Sequence, residues 1–153
     1  MRRTQGSKPY ASTSVSVAVT QHRDITGLFA KYGVQKWNFA TDKTDGIAMV
    51  RFEMSPGRWA RVMLKMPVEK PDGRPRRGRP KADAADKAEM MVWRALYNWL
   101  KVQFEAIEYG VFTPQEAFLG WMEIPTREGG VTVAEALLPH LDDLPRLLGD
   151  GRD

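Results

Sequence analysis

The chain of 153 residues has no cysteine and only two histidines, His22 and His140. Without thiols there are no disulfides, no thiolate zinc ligands and no cysteine nucleophile. The two histidines lie at opposite ends of the chain. Neither has a carboxylate at metal-ligand spacing on a helix, so no metal site is expected. Apolar runs are short, and nothing approaches the ~18 continuous apolar residues of a membrane span. Arg2 and Arg3 precede Val15, Val17 and Val19, but these valines alternate with small or polar residues and form no secretory hydrophobic block. The phosphate-cradling, dinucleotide-binding and nucleophile-elbow glycine motifs are all missing. Asp42 with Asp45, and Asp142 with Asp143, sit in turn-like sequence, where acidic residues serve turn chemistry. No carboxylate pair has the buried context that separates an acid from a base. These absences point to a protein that is not an enzyme, uses no cofactor, avoids membranes and works in a reducing cytoplasm.

What is present is charge, unevenly placed. The net charge is +4. Residues 1–57 hold eight basic and four acidic residues, residues 58–81 nine and two, and residues 82–153 six and thirteen. A basic front joined to an acidic rear suggests one face suited to a polyanion. The densest basic run is Arg74-Pro75-Arg76-Arg77-Gly78-Arg79-Pro80-Lys81. Such a run stays extended unless an anion neutralises it, and a plain solvated linker is the competing interpretation.

Apolar content of 42% with five Trp suits a single compact α+β domain. Residues 1–11 read as a flexible basic arm, and 12–66 as a strand, a helix and a β-meander. Residues 67–82 read as a basic Pro/Gly linker loop, and 83–153 as a helical part. In Ser12 to Val19, valines at every second position predict a half-buried strand. Thr20 then caps a helix with Ile25, Leu28, Phe29 and Tyr32 on one face, ended by Gly33. Strands follow around Trp37–Phe39, from Ile47 to Met54 and from Trp59 to Met66, joined by turns at Asp42–Gly46 and Ser55–Gly57. The apolar faces of the last two strands coincide only if paired residue numbers sum to an even value, for example Phe52 with Val62. That register gathers Arg51, Trp59, Arg61, Met63 and Lys65 on the opposite face. Cations beside an aromatic ring are what a single-strand binder needs, whereas covering helices would instead leave the charges at a rim.

A long helix is expected from Asp83 to about Tyr109, with Gly110 as terminator. Its central stripe would be Ala85, Ala88, Val92, Ala95, Trp99, Val102 and Ala106, widened by Leu96, Leu100, Phe104 and Ile107. Trp93, Tyr97 and Trp99 fit core positions better than a stacking platform. Thr113-Pro114-Gln115-Glu116 and Thr132 with Glu135 are helix starts of the capping-box type. Pro139 should shorten or kink the last helix. The expected architecture is a small antiparallel sheet of three or four strands on a long helix, with a helical C-terminal part.

Pro75 to Lys81 resembles the AT-hook, a minor-groove reader with an Arg-Gly-Arg-Pro core. That core falls on Arg77, Gly78, Arg79 and Pro80, with Arg76 and Lys81 as basic flanks. The resemblance implies guanidiniums drawn into the negative potential of a narrow A·T groove. The order of helix, meander, basic linker and long helix over residues 20–110 resembles the core of Rad52-type single-strand annealing proteins. The segment Trp93 to Ile124 resembles uncharacterised phage and prophage proteins. Together these imply a mobile-element protein, acting in recombination in a bacterial host cell and binding nucleic acid, DNA ahead of RNA. Phosphate or groove contacts are expected from Arg51, Arg61, Lys65, Arg74, Arg76, Arg77, Gly78, Arg79 and Lys81, and base stacking from Trp59. A homo-oligomer is compatible with annealing. The competing class is a phage protein–protein module, an inhibitor or assembly factor, whose basic face meets an acidic partner.

Overall fold

A computed structural model describes residues 14–66 and 82–143, with side chains from Asp86 onward in the second segment. The N-terminal arm, the basic tract of residues 67–81 and the last ten residues lie outside the described residues. The fold is mixed α and β: a three-stranded antiparallel sheet, a long helix and a C-terminal helical part.

The first element differs from the expected strand. Val17–Val19 (α1) is helical and runs without a break through a π-helical turn, Thr20–Ile25, into Thr26–Lys31 (α2). The cap is Ser16, whose hydroxyl accepts the Val19 N–H, and not Thr20. Thr20 and Ile25 are both fully buried, although five positions apart. An α-helix would point them in divergent directions, whereas the wider π turn brings them to one face. Tertiary packing of that face overrides the period-two pattern of the valines, and Val17 packs against the core as a helical residue. From Ile25 onward the expected face holds. Ile25, Leu28 and Phe29 are buried, and Gly33 leaves the helix at φ 75°.

The meander consists of Trp37–Asp42 (β1), Ile47–Ser55 (β2) and Arg58–Lys65 (β3), in that spatial order. The turn after β1 is closed by Asp42, whose carboxylate accepts the N–H groups of Thr44 and Asp45. Val50 faces Val62 and Phe52 faces Ala60, so paired numbers sum to 112. The even parity is as expected, with Phe52 displaced by two residues from Val62. The inner face packs on α3, Ala82–Glu108, which ends where Gly110 turns at φ 72°. Phe52 contacts the rings of Phe29, Phe104 and Phe118 at 5.1, 6.1 and 5.3 Å.

The buried stripe of α3 is Trp93, Leu96, Leu100 and Phe104, while Ala95 and Val102 of the expected central stripe are exposed. Burial scales with apolar area, so the face with larger side chains turns inward. Trp93 is fully buried, and Trp99 packs at 4.7 Å from Trp121, both as core or near-core residues.

Both expected capping boxes form, at Pro114–Phe118 (α4) and Val133–Leu137 (α5). A 3-10 turn, Leu138–Asp143, follows at Pro139. Between α4 and α5 lies an unexpected two-stranded ribbon, Glu123–Ile124 (β4) and Val131–Thr132 (β5). Met122, just before it, bridges antiparallel to Ala60, so the ribbon docks beside β3.

Phe52→Ala is expected to lower unfolding stability by about 3–5 kcal/mol, because it empties the centre of an aromatic cluster. Val102→Ala, on the exposed side of α3, should stay within about 0.5 kcal/mol. Urea denaturation of the two variants checks this; equal losses would mean the core is wrongly placed.

Candidate nucleic-acid interface

Strand alternation places Asn38, Arg51, Glu53, Trp59, Arg61, Met63 and Lys65 on the sheet face opposite Phe52. Arg51 and Arg61 are directly opposite one another across β2 and β3. Two like charges in that position repel unless each is neutralised. The C-terminal part supplies both counter-charges. Glu123 of β4 accepts two hydrogen bonds from Arg51, each 2.8 Å. Glu135 of α5 accepts one from Arg61 at 2.8 Å, and the Gly130 carbonyl accepts another at 3.2 Å.

The two arginines expected on phosphate are therefore matched within the chain, and what reaches over this face is the β4–β5 ribbon together with the first turn of α5. The fork-to-carboxylate geometry fixes the plane of the Arg51 guanidinium. It lies over the Trp59 ring, 4.0 Å from the centroid. Trp59 thus has the expected aromatic place beside cations, with one face already in contact with Arg51.

Lys65 is exposed at the end of β3, as is Met63 beside it. Lys36, just before β1, keeps an exposed ammonium 3.7 Å from Glu53. Gln35, Lys36, Trp37, Asn38, Arg51 and Trp59 line an open cleft of about 560 Å³. Trp37 points to the core side, where its ring meets Phe29 at 5.7 Å, but it remains 38% exposed. Arg74, Arg76, Arg77, Gly78, Arg79 and Lys81 lie outside the described residues, in the segment that leaves β3 just beyond Lys65.

Sequence reasoning missed Glu123, Glu135, Lys36, Gln35 and Asn38. Glu135 was visible as a capping residue, and its carboxylate does accept the Thr132 N–H at 2.7 Å while also reaching Arg61. Glu123 carried no signal, because a two-residue strand is too short for a periodic pattern. Among the described residues, no cluster of His, Asp or Glu is arranged to hold a metal ion. No helix among them is long and apolar enough to cross a membrane. His22 is exposed, edge-on to Phe39 at 6.0 Å. No protein-family model, curated protein or solved structure matches the chain.

Hydrogen bonds from Arg51 hold the Glu123 carboxyl below its ordinary value of 4.5, against the opposing effect of burial. Glu135 is lowered chiefly by the Thr132 N–H, with the Arg61 charge adding to it. Carboxylates lowered in the folded state contribute stability that is complete above their unfolded value and lost as pH falls through the folded one. Glu123→Gln should therefore cost about 1–2 kcal/mol at neutral pH, a hydrogen bond to charge at a partly exposed site. The difference from wild type should shrink as pH falls below about 4.5. Denaturant midpoints between pH 7 and 3 measure it; a difference independent of pH would count against the ion pair.

Proposed function

We propose that the protein is a non-enzymatic nucleic-acid-binding protein that holds single-stranded nucleic acid, DNA ahead of RNA, on the outer face of its sheet. The observation that carries this reading is the stack of Arg51 on Trp59, immobilised by Glu123 and open on a cleft with Lys36 and Asn38. Bases stack on aromatic rings and on guanidinium planes. An arginine already paired to a carboxylate offers its plane without the entropy loss of ordering a free side chain. In this reading Arg51 stacks instead of neutralising phosphate, and Arg61 positions the ribbon. Phosphate falls to Lys36 and Lys65 on the sheet, together with Arg74, Arg76, Arg77, Arg79 and Lys81 in the adjoining tract. Strand handling in the recombination of a phage or mobile element is the process this activity would serve.

A second reading rests on Leu137, Leu138 and Leu141, large apolar side chains left exposed around the 3-10 turn after α5. They suit contact with another protein, and the basic tract would then meet an acidic partner.

Binding to an oligonucleotide decides between the two. Neutralising about five phosphates gives a slope of log K against log salt of roughly −3.5 to −4.5. Replacing Arg76, Arg77 and Arg79 by Ala should make that slope shallower by about 2 to 3 while leaving the denaturant midpoint unchanged. No retention of single- or double-stranded oligonucleotides at about 50 mM salt, a concentration where such contacts are strong, would reject the first reading and favour the second.

A further inference from the structure

We infer that the cleft lined by β1, β2 and β3 on the outer face is a pocket for one unstacked nucleobase, held by its face on the Arg51–Trp59 stack and by its edge on Gln35 and Asn38. The inference rests on the single-strand reading above and specifies which part of the strand enters, and where. A volume of about 560 Å³ lies within the ~300–1,000 Å³ usual for small-ligand sites. Its chemistry is that of a base and not of a phosphate alone. One wall is the Arg51 guanidinium over the Trp59 indole, its central carbon 4.0 Å from the ring centroid. Asn38 stands directly across the ladder from Arg51, and Gln35 and Lys36 lead into the same strand. A side-chain amide carries both a donor and an acceptor, which is what the hydrogen-bonding edge of a base requires.

The charge arrangement fits as well. Glu123 satisfies the Arg51 guanidinium at its edge through two bonds, leaving the face turned away from Trp59 for stacking. Lys36 has a side chain 66% exposed and only a 3.7 Å contact to Glu53, so a strand phosphate could compete for its ammonium. A base inside a duplex has both faces covered and cannot enter such a site. A base of a single strand can, and every base has a face to stack, so the pocket tolerates sequence.

The test uses the full chain and two oligonucleotides of about twelve units, one wholly abasic and one abasic except for a central 2-aminopurine. Stacking of one base on an aromatic platform strengthens binding by about tenfold or more. Wild type should thus bind the base-bearing oligonucleotide about tenfold more tightly than the base-free one, with quenching of the 2-aminopurine fluorescence. In the variant carrying Gln35→Ala and Asn38→Ala, both at exposed positions, the ratio of the two affinities should shrink at least threefold. Equal affinity for both oligonucleotides, with unchanged fluorescence, would overturn the pocket and leave the nucleic-acid reading standing. A gain undiminished by the double substitution would remove Gln35 and Asn38 from the contact with the base and likewise overturn it. Failure to retain either oligonucleotide, or any natural single strand, would overturn both.

Discussion

The outer face of the sheet depends on one ion pair, Arg51 with Glu123. Register sets Arg51 against Arg61, two guanidiniums on adjacent strands, and the sheet is tolerable only if something negative comes to meet them. The segment that does so is the short β4–β5 ribbon and the start of α5, more than seventy residues further along the chain. Docking of the ribbon against β3, the orientation of the Arg51 guanidinium and the platform it forms with Trp59 all follow from that pairing. Its partly buried setting gives it direction as much as stability. A two-bond fork admits one plane, and that plane lies over an indole.

The two faces of the same three strands are built on different physics. The inner one is sealed by aromatic packing, with Phe52 meeting three other rings from α2, α3 and α4. The outer one is polar, cationic and partly open, with exposed Met63 and Lys65 at one end and the cleft at the other. β3 ends at Lys65, and the basic tract follows it in the sequence. The uneven charge of the sequence is therefore not two separate faces of opposite sign. Part of the acidic rear half, in Glu123 and Glu135, is spent neutralising the basic front half. On the outer face, Lys65 stays exposed at the end of β3.

Much of the fold was legible because it rests on local rules. Helix faces from Ile25 to Tyr32, the parity of the β2–β3 register, both capping boxes and the glycine terminators at Gly33 and Gly110 all obey short-range patterns. Three features were not legible, for the same physical reason. The alternating valines near Ser16 fold as a helix because a π turn lets Thr20 and Ile25 share a buried face. The inward stripe of α3 is chosen by the bulk of Trp93, Leu96, Leu100 and Phe104 over the smaller residues beside them. The ribbon exists because Glu123 and Met122 find partners on β2 and β3. Each is decided by contacts between distant segments. The outer-face residues could be read from alternation, but their partners could not. That is why Arg51 reads as a phosphate ligand in sequence, whereas in the fold it is paired with Glu123 and lies over Trp59.

The central claim is that Trp59 contributes by stacking and not by charge. Affinity of wild type and Trp59→Ala for single-stranded oligothymidylate, measured across a salt series, tests it most directly. Loss of one base–aromatic stack predicts parallel lines of log K against log salt, with the variant about tenfold weaker at every concentration. Superimposed lines, or a variant whose slope changes without an offset, would contradict the account.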